Sequence, residues 1–337
     1  MADQTKIEWA DATINAINGC SLESPGCTNC YAMRAGGRNL PGYPSTGLTM
    51  PSKAGHVWTG EVRLHEPSLL KPLRWTKPRS IFWNAHGDTF HPKVPDEWID
   101  RVFAVASLTP QHRHMILTKR PDRMRDYINS RPQAVWDRAA LEMRPKALDQ
   151  LKALPWPLPN VWLGTSVEDH ERRGRIDALS DTQAAVRFVS FEPLLGRVDV
   201  CEQLGIWWNQ TTGEWVREHK PKFDWAIVGG ESGRGARPMH PDWARSLRDQ
   251  CVGAGVAFHF KQIGDWGWID AETHHADYVA ACNGEAPWRG DRLLESNGTL
   301  LPGTSIQVGN RQYVRRVGKA RAGRLLDGRE WNEVPHG

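Results

Sequence analysis

From residue 80 onward the chain repeats one pattern, a short apolar run ending in polar residues and then a stretch with helical spacing. Ser80–Ala85 leads into His86-Gly87-Asp88, and Pro95–Ala106 follows with an acidic first turn. His114–Thr118 ends in Lys119-Arg120-Pro121, ahead of a long helical stretch from Asp122 to about Leu154. Asn160–Gly164 ends in Thr165-Ser166-Val167-Glu168-Asp169, with a basic helix running on to Leu179. Val186–Ser190 ends in Phe191-Glu192-Pro193, and Asp224–Val228 ends in Gly229-Gly230-Glu231-Ser232-Gly233. Asp242–Val252 is helical, and Val256–Phe260 ends in Lys261-Gln262. With the apolar alternation Thr13–Asn18, seven strands are expected, most of them followed by helices. Short, nearly continuous apolar strands alternating with helices indicate a parallel sheet covered on both faces. The expected fold is α/β, an incomplete (β/α) barrel, with a doubly wound open sheet as the alternative. In both, ligands bind at the carboxyl ends of the strands, where this chain collects its polar residues.

Three passages break the rhythm. Residues 36 to 55 are rich in Gly and Pro without periodicity and read as an ordered loop or lid. Residues 201 to 222 read as an inserted hairpin turning at Thr212-Gly213. The region after Gly264 is rich in Trp, His, Asn and Gly and ends in a basic tail. This divides the chain into a barrel over 1–264 and a C-terminal extension over 265–337. The length allows a large core, and 24% charged residues argue against disorder. No apolar run approaches membrane-spanning length, and the N-terminus lacks the regions of a signal peptide, so a cytoplasmic protein is expected. Net charge is only +4, but Lys71–Arg79, Lys119–Arg125, Arg172–Arg175 and Arg311–Arg324 are basic clusters that suit a phosphate backbone or a solvated surface. Seventeen tryptophans supply stacking platforms or, for most, core packing.

The chemistry concentrates in Cys20-Ser-Leu-Glu-Ser-Pro-Gly-Cys27-Thr-Asn-Cys30, a C-x6-C-x2-C loop directly after the first strand. Gly19 and Ser24-Pro25-Gly26 let the chain double back. In a reducing compartment such a cluster favours metal over disulfides. Three thiolates can hold three corners of a cubic iron–sulfur cluster and leave the fourth iron open. The alternative is a zinc site completed by a distant histidine, for which His86 is the nearest choice. Cys201, Cys251 and Cys282 are scattered and read as buried thiols.

A strand, a cysteine loop with two residues between its last thiols and a run of βα units resembles the radical S-adenosylmethionine superfamily. The first interval here is six residues instead of three, and Asn29 stands where an aromatic is usual. That spacing is combined with Trp83–Asp88, Leu117–Pro121, Gly164–Glu168, Ser190–Pro193, Val228–Gly233 and the ending Gly323–Glu333. Together these resemble a phage- and prophage-borne three-Cys-motif, radical-SAM-like family, over nearly the whole chain. The resemblance implies that Cys20, Cys27 and Cys30 bind a 4Fe–4S cluster whose open iron chelates S-adenosyl-L-methionine. One-electron reduction would then yield a 5′-deoxyadenosyl radical that abstracts hydrogen from substrate, the protein orienting the parts and excluding water. It implies that Gly87-Asp88 holds the methionine amine, with Asp in place of the usual Glu, an ordinary turn being the other reading. Thr165, Ser166 and Glu168 take ribose or carboxylate contacts, with helix capping as the alternative for the hydroxyls. Ser190 and Glu192 stand at the next strand end. Lys119 and Glu231 are the expected catalytic side chains, Glu231 on a Gly-Gly turn that allows close approach to a ligand.

For substrate, the resemblance implies DNA modification in phage. The most specific form is the isomerisation of an N-linked glycyl thymine to a carbon-linked one during thymidine hypermodification. Other radical reactions on nucleic acid, such as photoproduct repair or base methylation, and a zinc-stabilised nucleic-acid-binding protein are the alternatives. The implied partners are phage DNA, an electron donor and other DNA-modification enzymes, in the host cytoplasm. A base in duplex DNA would be flipped out to reach a barrel mouth.

Overall fold

The computed structural model describes residues 5, 7–53, 55–269, 292–302 and 311–335. Seven strands form one sheet: β1 (Ala12–Ile14), β6 (Ser80–Trp83), β7 (Arg113–Thr118), β8 (Val161–Ser166), β9 (Val186–Phe191), β12 (Trp225–Gly229) and β13 (Ala257–Gln262), in the order β1-β6-β7-β8-β9-β12-β13. β1–β6, β6–β7, β7–β8 and β12–β13 pair in parallel. The chain is therefore mixed α/β on a seven-stranded parallel sheet, consistent with a partial α/β barrel. Among the described residues no helix is long and apolar enough to cross a membrane. The chain packs as two compact units, one of Met1–Ser166 with Arg175–Phe188 and one of Val167–Gly174 with Val189–His336. Residue 264 falls inside the second.

In the first unit, α3 (Asp96–Leu108) buries a continuous face, and Trp83, Trp136 and Trp162 are core residues. The expected helix from Asp122 to Leu154 is three shorter ones, α4 (Pro121–Ser130), α5 (Gln133–Met143) and α6 (Leu148–Lys152). Pro132 and Pro145 sit at the breaks, where each lacks an amide hydrogen and restricts the residue before it. The expected strand Thr13–Asn18 also splits, into β1 and β2 (Ile17–Asn18), which pairs antiparallel with β5 (Arg63–Leu64). Asn84 produces the split. At φ 58° it donates its amide to the Ile14 carbonyl (2.6 Å), accepts from the Ile17 amide on Oδ1 (2.8 Å) and donates Nδ2 to Thr89 Oγ1 (2.8 Å). Asparagine is one of the few side chains that tolerate that backbone region. The stretch 36–55 contains β3 (Thr49–Ser52), which pairs with β4 (Gly55–Trp58) as a hairpin. Trp58 packs there with Ala32 and Met33 of α1 (Tyr31–Gly36).

In the second unit, α9 (Pro241–Ala254) ends at Gly255 in the left-handed conformation that closes a helix. The inserted hairpin forms as expected from β10 (Ile206–Asn209) and β11 (Glu214–Arg217), turning through Gly213 at φ 67°. The expected basic helix to Leu179 is a single 3-10 turn in this unit, His170–Arg172, while Arg175–Ser180 is a separate helix of the first unit. After Gly264 the described residues form a four-stranded sheet of β14 (Trp266–Ile269), β17 (Arg311–Arg316), β15 (Arg292–Glu295) and β16 (Leu300–Pro302), in that order. The basic tail is thus largely a sheet strand with acidic partners, Arg311 on Glu295 (2.7 Å) and Arg316 on Asp265 (3.3 Å). The final residues strap the sheet edge. Phe260 donates its amide to the Trp331 carbonyl (2.9 Å), and Trp225 Nε1 donates to the Glu333 carbonyl (2.8 Å).

Candidate functional site

The cysteine loop begins where β2 ends and closes into α1. Pro25–Cys27 forms one 3-10 turn, and Cys30 is the residue that caps α1. The loop enters against the end of β6: Gly19 donates its amide to the His86 carbonyl (2.9 Å) and bridges to Gly87. A Cβ on Gly87 would stand 2.5 Å from the Ile17 carbonyl oxygen, so no other residue permits this approach. Gly87 is in this way a seat for the loop.

Asp88 and Arg120 then tie three segments together. Asp88 Oδ1 accepts from Thr118 Oγ1 (2.7 Å) and the Phe90 amide (2.9 Å). Its Oδ2 accepts from Arg120 Nη1 (2.7 Å) and the Lys119 amide (3.3 Å). The Arg120 guanidinium, only 7% exposed, reaches into the cysteine loop. It donates to Cys20 Sγ (3.6 Å), to the Ser21 carbonyl (3.2 Å) and hydroxyl (2.9 Å), and pairs with Glu23 (3.3 Å). His91 adds a further tie. Its Nδ1 accepts from the Lys93 amide (3.2 Å), which leaves Nε2 to donate to Ser21 Oγ (2.9 Å). Asp88, expected to hold the methionine amine of the cofactor, already carries four hydrogen bonds and fixes the arginine that fixes the loop.

Burial dominates the electrostatics. It pushes the Cys20 thiol up to about 12, with Asp88 adding to the rise and Arg120 opposing it. Cys30 is raised by the same cause, opposed by the Met33 and Ala32 amides at the start of α1. Burial lowers Lys119 to about 8, while the nearby Cys27 and Cys30 favour its charged form. Burial thus favours the neutral thiols of Cys20 and Cys30, and any metal bound there would have to displace their protons. The donor set suits iron–sulfur ligation: three thiols on one loop, with amides at Cys30 and two cationic side chains to balance thiolate charge. Among the described residues no three His, Cys, Asp or Glu side chains are gathered to hold a single metal ion. His86, the possible fourth ligand of a zinc site, lies instead beside the rings of Tyr31 (6.2 Å) and Tyr43 (6.0 Å).

Thr165 and Ser166 close β8 in the same unit and are buried. Thr165 Oγ1 donates to the Thr118 carbonyl (3.0 Å), a tie between neighbouring strands, and Ser166 accepts from Arg175 through its carbonyl (2.9 Å).

The remaining expected residues belong to the second unit. Glu192 pairs with Lys261 (3.0 Å) and accepts from Ser190 Oγ (3.4 Å). Glu168 is fully buried, and its carbonyl accepts the Leu195 amide (2.8 Å). Glu231 sits in the fork of Arg237, with Nη2 to Oε1 at 2.7 Å, Nε to Oε2 at 3.0 Å and the Arg237 amide to Oε2 at 2.8 Å. The glycines before it serve the chain's own packing. A Cβ on Gly230 would lie 1.9 Å from the Ile263 carbonyl oxygen, and one on Gly229 would lie 2.5 Å from Glu192 Oε1.

Over residues 4–335 the sequence matches the family described as protein of unknown function, DUF5131. The chain belongs to that family. No curated protein and no solved structure matches it. In this DUF5131 protein the residues to which sequence reasoning gave no role of their own are mostly positioning ones: Asn84, Arg237 and Ser21. Arg120 was visible as a strand-end cation, but its role depends on a contact 100 positions away in sequence. Cys251 is buried as expected, Cys201 is half-buried with Sγ 3.5 Å from Gln250 Oε1, and Cys282 lies outside the described residues.

Proposed function

We propose that this protein is a radical S-adenosyl-L-methionine enzyme in which Cys20, Cys27 and Cys30 hold a 4Fe–4S cluster. Its substrate in this reading is a base in nucleic acid, most specifically an N-linked glycyl thymine of phage DNA that it isomerises to a carbon-linked form. The observation that carries the reading is the C-x6-C-x2-C loop seated at the end of the first strands of a parallel sheet and clamped there by Asp88 and Arg120. A cluster binds each thiolate through a different iron, so it accepts thiols spread more widely than one zinc ion does. When bound, the cluster supplies the electron that cleaves S-adenosylmethionine to an adenosyl radical, a route to hydrogen abstraction from carbon that acid–base groups lack.

The chain's own residues have ordinary tasks around that chemistry. Arg120 fixes the first turn of the loop and sets a positive charge beside Cys20. Lys119 sets another beside Cys27 and Cys30. Thr165 and Ser166, at the end of β8 in the unit that carries the cysteine loop, are the polar groups proposed to orient the cofactor. The test is anaerobic incubation of the reconstituted protein with dithionite and S-adenosylmethionine, then with DNA carrying N-glycyl thymine. The reading requires 5′-deoxyadenosine by mass spectrometry and a thymine product of unchanged mass but altered fragmentation. Cofactor cleavage with unaltered glycyl-thymine DNA would reject the substrate; no cleavage would reject the enzyme class.

A further inference from the structure

The segment between Glu23 and Glu61 contains no acidic residue, and it carries Arg34, Arg38, Lys53 and His56 around the last two cysteines. It also holds three large side chains left open to water, Tyr31 (54% exposed), Leu40 (51%) and Met50 (52%), and Leu22 just before it is likewise open (56%). Tyr31 directly follows Cys30, and its hydroxyl donates to the Ala85 carbonyl (3.0 Å), which fixes the ring while leaving it exposed. The His86 ring lies 6.2 Å from Tyr31 and 6.0 Å from Tyr43, so three rings stand together beside the cysteine loop. Arg38 follows the end of α1 and Lys53 stands in the β3–β4 turn; both are exposed and neither makes an ion pair among the described residues. The hairpin packs on α1 through Trp58, and Arg63 holds the Pro44 and Thr46 carbonyls at 3.1 and 3.0 Å.

We infer that the ring group of Tyr31, Tyr43 and His86, on a segment that also carries exposed Arg38 and Lys53, binds single-stranded nucleic acid, a base stacking on the rings while the segment's cations take phosphates. Aromatic faces accept any base, and cationic side chains follow the backbone, the combination that grips unpaired strands. The inference rests on the proposed function for the meaning of its position, since it would present a flipped base next to the cysteine loop. Binding itself needs neither cluster nor cofactor.

The experiment is fluorescence anisotropy of the apoprotein with a short labelled oligothymidylate across a salt series, using near-ultraviolet circular dichroism to confirm folding. Tyr31→Ala and Tyr43→Ala should each weaken binding about five-fold or more, and the Phe variants should bind as the wild type does. Arg38→Gln with Lys53→Gln should lower the slope of log K against log salt by about 1.4, two phosphates at roughly 0.7 each. If Tyr31→Ala fails to fold, Tyr43→Ala and the double charge variant carry the test. Absent binding, unchanged affinity in the folded variants, or equal competition by polyglutamate would overturn the inference. Loss of binding in the variants while the protein assembles no cluster would leave this surface standing and reject only the proposed chemistry.

Discussion

Replacing Asp88 with Asn changes one oxygen to an amide nitrogen at the joint that holds the cysteine loop. Oδ1 can stay as the acceptor for Thr118 Oγ1 and the Phe90 amide. The new NH2 then faces two donors, Arg120 Nη1 at 2.7 Å and the Lys119 amide at 3.3 Å. Both members of the ion pair are nearly buried, at 7% and 6% side-chain exposure, so water does not restore what is lost. Breaking one side of a buried pair costs about 3–5 kcal/mol. Glu23, 3.3 Å from Arg120, remains as a second anion, which places the loss near 3 kcal/mol. Urea unfolding followed by tryptophan fluorescence should show a lower midpoint with unchanged slope, because the surface exposed on unfolding is the same. Hydrogen exchange should accelerate in the amides of 19–31, whose carbonyl and hydroxyl anchors on Arg120 loosen. Thr118→Val, which removes one neutral hydrogen bond, should cost only about 1 kcal/mol. A loss below about 1 kcal/mol in Asp88→Asn, with exchange unchanged, would refute the clamp.

Three further outcomes follow from the same structure. His114 is fully buried, with Nδ1 accepting from Trp83 Nε1 (3.0 Å) and Nε2 3.0 Å from Thr109 Oγ1, and burial lowers it to about 3. Its ordinary value is 6.5, so between these pH values the unfolded chain takes up a proton that the folded chain refuses. Stability from this residue is complete above about pH 6.5 and declines as pH falls toward 3, by an amount on the order of 5 kcal/mol, and His114→Gln should flatten that part of the profile. Gly87→Ala should destabilise by about 2 kcal/mol or more in thermal unfolding, because its Cβ meets the Ile17 carbonyl oxygen at 2.5 Å. Arg237→Met should cost about 1–2 kcal/mol in urea, the pair being one-third exposed on the arginine side, and Arg237→Lys should recover little because lysine cannot form the two-pronged contact.

The parallel sheet was legible because each of its strands is a short apolar run with a polar end, and periodicity survives in such runs. Helix ends were less so. Pro132 and Pro145 stand in plain view, yet amphipathic spacing continues across them and hides the breaks. The hairpin of β3 and β4 was not legible, since its strands are held by packing on α1 and carry no alternation of their own. At the site, the cysteines announced themselves by spacing, and Gly87-Asp88 and Lys119 by standing at strand ends. Their partners did not: Arg120 meets Cys20 and Asp88 only after β6 and β7 lie side by side. Gly230 has a close backbone approach, but to Ile263 of its own chain, a distinction no local pattern carries.

The most direct test of the central claim is anaerobic reconstitution with iron and sulfide, beside Cys20→Ala, Cys27→Ala and Cys30→Ala variants. The account requires matched iron and acid-labile sulfide with broad charge-transfer absorption in the wild type, and loss of both in each variant. Stoichiometric zinc without visible absorption, or a cluster that survives replacement of Cys27, would contradict it.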